Sequence, residues 1–119
     1  MTKKEVTEIA NHVFTKIVEH YGESKHQPEL PYLSIEDTPY SDAEADGFGE
    51  YRSWDNELVL YWTELESYEM ITRTLIHEYQ HYLQSQVWMS RYWNMGYDYN
   101  THPYEVAAYR EEENWELFY

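Results

Sequence analysis

"TLIHEYQHYLQ", residues 74–84, holds two histidines four apart with a glutamate directly after the first: His77, Glu78 and His81. On an α-helix, side chains four apart lie about 40° apart around the axis and one turn apart along it. His77 and His81 can therefore offer imidazole nitrogens to one metal ion. Glu78 sits about 100° round from His77, too far to join the pair but able to reach a water held by the same ion. The neighbours Leu75, Ile76, Tyr79, Tyr82 and Leu83 are apolar. A solvated histidine pair needs no such packing around it, so a buried metal helix is the expectation.

The surroundings extend this helix. Thr63 followed by Glu66 reads as a capping box that starts a helix just after a strand. Leu65, Tyr68, Ile71, Leu75, Tyr79, Tyr82 and Leu83 keep helical spacing and carry it to about Trp88. Upstream, residues 41–62 read as a loop and then a hairpin, with one arm from Phe48 to Ser53, a turn at Asp55–Asn56 and a second arm from Glu57 to Trp62. Both faces of that second arm are apolar, which predicts cover on more than one side. "YLSIE", Tyr32–Glu36, is a short strand bounded by Pro31 and Pro39. Val6, Ile9, Ala10, Val13, Phe14, Ile17 and Val18 predict a first helix from Lys3 to about Tyr21, closed by Gly22, with His12 and His20 as ordinary surface residues. Downstream, "SRYWNMGYDYNTH" is rich in turn residues and aromatics, and Pro103 opens a last helix to roughly Leu117.

Composition narrows the chemistry. The 119 residues contain no cysteine, so a tightly held metal must use His, Asp, Glu or water. Eight basic against 23 acidic residues give a formal charge of −15, which repels a phosphate backbone and argues against nucleic-acid binding while leaving a cationic protein partner compatible. No apolar run is long enough to span a bilayer and the N-terminus has no apolar signal core, so a soluble, cytoplasmic protein is expected. Fourteen tyrosines, five tryptophans and three phenylalanines predict a folded domain with an aromatic core despite the low mean hydropathy. With no repeat and no linker, residues 1–119 read as one α+β domain.

A catalytic zinc site wants a third protein ligand and an open fourth position. The downstream candidates are Asp98, His102, Glu105, Glu111, Glu112, Glu113 and Glu116. Glu105, in "HPYEVAAYREE", is preferred: it opens a helix that can fold back on the motif helix, and Ala108 on the same face permits close approach. Its position behind His102 and Pro103 also suits a simple helix-capping glutamate. His102 is the alternative ligand. Glu112, seven residues after Glu105, is placed to accept a hydrogen bond from a ligand histidine, although the Glu111–Glu113 cluster with Glu116 also reads as a solvated face.

"HEYQH" on a helix, a glutamate on the next helix in "PYEVAAY", an upstream helix and three short strands together resemble the gluzincin metallopeptidases, especially their minimal single-domain form, the minigluzincins. The resemblance implies a zincin-like α+β fold in which His77, His81 and Glu105 hold Zn²⁺ and Glu78 is general base and acid. It also implies that the strand before the motif helix lines the cleft as an edge pairing with an extended peptide. The chain departs from the larger gluzincins at Tyr109, where their E-x-x-x-D pattern would put an acidic partner for a histidine ligand. In the implied mechanism zinc acidifies its water, Glu78 takes the proton, hydroxide attacks a peptide carbonyl, and Glu78 returns the proton to the leaving amine. Tyr97, Tyr99, Tyr104, Tyr109 and His102 are candidates to stabilise the developing oxyanion.

The leading expectation is thus a zinc-dependent peptidase acting on a peptide or protein substrate. A second keeps the zinc without turnover, either structural or latent, with the apolar C-terminal "NWELFY" folded into the cleft. A third treats the acidic surface as a nucleic-acid mimic that inhibits a basic partner.

Overall fold

The computed structural model describes residues 1–37 and 47–119. Helix α1 spans Lys3–Tyr21, as its periodicity predicts. Thr2 and Glu5 form a reciprocal capping box at its start, with bonds of 3.0 and 3.1 Å, which satisfies two amide donors that a helix N-terminus leaves without partners. Its end is Gly22, whose φ of 77° suits a residue without Cβ, and the Gly22 amide donates to the Val18 carbonyl. Between these caps Val6, Ala10, Val13 and Ile17 form a wholly buried stripe.

Three short strands follow: β1 (Tyr32–Glu36), β2 (Gly49–Arg52) and β3 (Glu57–Tyr61). Their order is β1-β3-β2, with β1 parallel and β2 antiparallel to β3. Strand β3, the one preceding the motif helix, is therefore central and cannot be the free edge that the family resemblance implies. The hairpin turn lies where expected, and Asn56 carries the left-handed conformation (φ 50°) that asparagine tolerates. Its amide donates to the Glu29 and Leu30 carbonyls and its oxygen accepts from the Tyr51 hydroxyl, so the turn also fixes the lead into β1. The loop expected before the hairpin falls largely outside the described residues.

Both faces of β3 are covered, as its apolar pattern predicts. Leu58 and Leu60 join the core under the helices. Val59 and Tyr61, on the other face, are buried too. Arg52 ties the strands together by meeting Glu36 of β1 at 3.1 Å, Glu57 of β3 at 2.9 Å and Glu50 on its own strand. This guanidinium is only 14% exposed, so its carboxylate partners stand in for much of the lost water.

The expected helix start at Thr63 does not form. Trp62–Glu64 is a short 3-10 turn, and the Thr63 hydroxyl donates to the Asp37 carbonyl. Leu65 has to enter the core, which requires extended backbone at that residue (φ −102°, ψ 114°), and the helix begins after it. Helix α2 spans Tyr68–Leu83 with Ser67 as its N-cap, accepting from the Met70 amide at 3.1 Å. Nor does this helix reach Trp88. Gln84 is extended, Ser85 caps a new helix, and α3 occupies Gln86–Asn94, including part of the stretch expected to be turns. Helix α4 covers Pro103–Glu112 and stops short of Leu117. The chain ends in a 3-10 turn, Trp115–Phe118.

The fold is thus α+β, with four α-helices and a small mixed sheet among the described residues. The core joins the α1 stripe to Leu58, Leu60, Leu65, Ile71, Leu75, Ile76, Tyr79, Tyr82 and Phe118. Its buried aromatics are Tyr and Phe, with Trp62 and Trp115 packed against it; Trp54, Trp88 and Trp93 are exposed. Buried hydroxyls are satisfied, Tyr79 donating to the Gly22 carbonyl and Tyr82 accepting from the Ser24 amide. No helix among the described residues is long and apolar enough to cross a membrane.

The C-terminal segment does not occupy the cleft. Phe118 inserts beside His20 and Tyr21, Tyr68 donates to the Phe118 carbonyl at 2.7 Å, and Tyr119 stacks on Tyr68. These contacts hold "NWELFY" against α1 and the start of α2, away from the motif. An apolar tail follows the largest available apolar surface, and here that is the core.

Candidate metal centre

Helix α2 presents its functional side chains on two faces. His77 and His81 face α4, whereas Glu78 lies on the side of Thr74, where β2 crosses. Gly49 makes that crossing close: a Cβ there would lie 2.6 Å from the Val59 carbonyl and 2.9 Å from the Thr74 methyl. Without a side chain, β2 settles onto α2 one turn before Glu78. The resulting cleft has a volume of about 740 Å³, with β2 along one wall, α3 and α4 along the other, and His77, Glu78 and His81 at its floor.

All three floor residues are buried, and their ligand atoms lie within 4.8 Å of one another, as a metal site requires. Glu105, also buried, enters from α4. Its Oε1 lies 3.1 Å from His77 Nε2 and 2.5 Å from His81 Nε2, while the two imidazole nitrogens are 3.3 Å apart. Four donors at about 2.0–2.1 Å around a tetrahedral ion sit roughly 3.3 Å from each other. Two of the three separations match that size closely, and the third needs to open by less than ~1 Å.

The rest of each ring fixes its protonation. His77 Nδ1 lies 2.8 Å from a Glu112 carboxylate oxygen, so Nδ1 carries the proton and donates. His81 Nδ1 lies 2.7 Å from Gln84 Oε1, and the Gln84 amide is oriented by its own NH₂ donating to the Tyr104 carbonyl at 3.1 Å. His81 therefore also carries its proton on Nδ1. When both rings are neutral, two Nε2 lone pairs and a carboxylate oxygen converge with no hydrogen among them. Such an arrangement calls for a cation.

A proton can supply that charge. Burial alone would depress the His77 pKa, but the Glu105 and Glu112 carboxylates outweigh it and push it up to about 9. For Glu105 burial favours the neutral acid, yet bonds to His77 and His81 hold its carboxyl well below the usual carboxylate range. A metal ion bound to these donors would have to displace that proton.

The other candidates are committed elsewhere. His102 is fully buried and caps α4: its Nδ1 accepts from the Tyr104 amide, and its Nε2–H donates to the Met89 carbonyl, both at 3.1 Å. It is a strut between α3 and α4, with both ring nitrogens bonded to backbone groups. Asp98 bonds Thr101 within its own turn, Glu111 accepts from Tyr21, Glu113 lies 3.8 Å from Arg73, and Glu116 is exposed. Glu112 takes the supporting position foreseen from its spacing. Tyr109 instead packs its ring edge-on to His77 at 4.6 Å. Of the tyrosines considered as oxyanion donors, Tyr99 and Tyr109 line the cleft with hydroxyls 3.2 Å apart; Tyr97 and Tyr104 pack on Tyr92.

Sequence reasoning missed Gln84, because its role depends on where the Tyr104 carbonyl arrives, and Gly49, whose signal was a lone glycine opening a strand. Comparison with protein-family models, with curated proteins and with solved structures yields no match, so the functional reading rests on this geometry.

Proposed function

We propose that the chain is a zinc-dependent peptidase of zincin-like type. The observation that supports it most is the convergence of His77 Nε2, His81 Nε2 and Glu105 Oε1 beside Glu78 at the floor of an open cleft. In this reading His77, His81 and Glu105 are the metal ligands. Zn²⁺ bound there supplies Lewis acidity, polarising a substrate carbonyl and bringing the pKa of water near 7.

The chain's own residues do the rest. Glu78 is held close to the ligands without standing between them, so its carboxylate serves as the general base for water and returns the proton to the leaving amine. Glu112 and Gln84 accept from the Nδ1 atoms and so orient the two imidazoles with their Nε2 atoms toward Glu105. Strand β2 forms the wall along which an extended peptide would run, and Tyr99 and Tyr109 offer hydroxyls to an oxyanion. A latent form closed by the C-terminus finds no support, since that segment packs on α1.

The test pairs metal content with turnover. Purified protein is expected to hold about one zinc, and His77→Ala to lose it. Glu78→Gln is expected to keep the zinc and lose cleavage of a denatured protein by a factor on the order of 10² or more. Zinc binding with no Glu78-dependent cleavage would leave a structural metal domain. Absence of zinc, with His77→Ala changing neither metal content nor thermal stability, would refute both.

A further inference from the structure

Strand β1 is an edge of the sheet, on the side away from the cleft, which runs along β2 at the other edge. The Tyr32 N–H donates to the Asn56 carbonyl just ahead of β3, which sets Tyr32, Ser34 and Glu36 as the residues whose backbone groups face β3. The N–H and C=O groups of Leu33 and Ile35 therefore point outward, and among the described residues nothing bonds them. Leu33 and Ile35 put their side chains against the core, so Tyr32, Ser34 and Glu36 line the opposite face of the sheet.

We propose that β1 pairs antiparallel with β1 of a second copy of this chain, about a two-fold axis at Ser34. Three observations carry it.

First, the edge is self-complementary. With Ser34 opposite Ser34 of the second copy, Leu33 lies opposite Ile35 and exchanges both N–H···O=C bonds with it, and symmetry repeats the pair across the axis. The outward backbone groups of both residues are then satisfied. A slip by one residue would set Leu33 against Ser34, whose groups are already spent on β3.

Second, the edge lacks the devices that usually keep edge strands apart. No lysine or proline lies within Tyr32–Glu36, and the register against β3 runs without a bulge. Tyr32 is 75% exposed at its start.

Third, the charges suit a second copy here. A net charge of −15 makes copies of this chain repel one another. Beside β1 the carboxylates have cations: Glu36 meets Arg52 at 3.1 Å, and Asp37 lies 3.9 Å from Lys3. In the two-fold register Glu36 faces Tyr32, so no like charges meet across the pair. The cleft of each copy stays uncovered at the far edge of its sheet.

The test is sedimentation equilibrium of the full chain. A monomer–dimer equilibrium is expected that tightens about threefold or more from about 50 to about 500 mM NaCl, because salt screens the repulsion and leaves backbone bonds in place. Ser34→Lys, which sets two ammonium groups against each other at the axis, should weaken the dimer about fivefold or more. Opposed residues of a non-hydrogen-bonded antiparallel pair lie within disulfide reach. The chain has no cysteine, so Ser34→Cys supplies a single thiol, and mild oxidation should cross-link it about tenfold or more faster than Asn11→Cys on the exposed side of α1. In hydrogen exchange read by NMR, the Leu33 and Ile35 amides should slow as concentration rises, with Ser34, already bonded to β3, changing less.

A monomer at every concentration up to about 1 mM would overturn the proposal. So would a dimer that salt weakens, one that Ser34→Lys leaves intact, or cross-linking no faster through residue 34 than through residue 11. Amide protection that rises on α3 instead of β1 would overturn it in favour of the exposed Trp88 and Trp93.

Discussion

Helices α2 and α3 follow one another with only Gln84 and Ser85 between them, yet the fold treats them in opposite ways. Eleven of the sixteen α2 residues are buried, including six polar ones, while α3 buries none. Helix α2 can bury His77, Glu78 and His81 because the apolar residues around them supply the stabilisation that polar burial costs. Helix α3 is held by its ends and by His102, and keeps its apolar side chains available. One helix is scaffold with polar groups set into it, and the other keeps its apolar side chains at the surface.

The strongest way to break this contrast is to make matched truncations in the two helices. Leu75→Ala, in the fully buried face of α2, should cost about 2–5 kcal/mol by chemical denaturation. A loss below ~1 kcal/mol would mean that α2 is not the scaffold described. Next comes Gly49→Ala, which forces a methyl against the Val59 carbonyl of the paired strand. That oxygen cannot retreat without disturbing the ladder, so a loss of about 1–3 kcal/mol is expected. An unchanged melting temperature would contradict the close β2–α2 approach.

The third prediction sharpens the polar side of the contrast. Glu112→Ala should weaken zinc binding about 10- to 100-fold in a chelator competition, because His77 loses the acceptor that orients it. Glu111→Ala, one residue away but bonded to Tyr21, should leave zinc affinity as it was. The smallest effect belongs to α3: Val87→Ala, at a position 60% exposed, should change stability by no more than about 0.5 kcal/mol.

Much of the molecule was legible wherever one local rule acted without competition. The α1 stripe, the Asn56 turn and the two-faced β3 follow from spacing, turn chemistry and apolar pattern. The same holds for the convergence of His77 and His81, which the helix repeat dictates. Glu105 and Glu112 were legible as a pair because seven residues return to nearly the same helical face. What was not legible depended on distant partners. Thr63 and Glu66 satisfy the capping rule, but burial of Leu65 delays the helix to Ser67. Apolar spacing runs on past Leu83, but Gln84 is drawn to His81 and the Tyr104 carbonyl. The family resemblance led to the wrong edge strand because element order does not specify which strand is central. His102 carried the right atoms for a ligand and spends them on backbone groups.

That use of His102 bears on the chain between the two helices it joins. Residues 95–101 are all exposed, and the spacing of α3 from α4 is set by the imidazole rather than by the length of this connection. Chain length here is consequently a free variable. Extra residues inserted at Gly96, ahead of the Asp98–Thr101 turn, would lengthen the connection while His102 keeps its bonds to both helices.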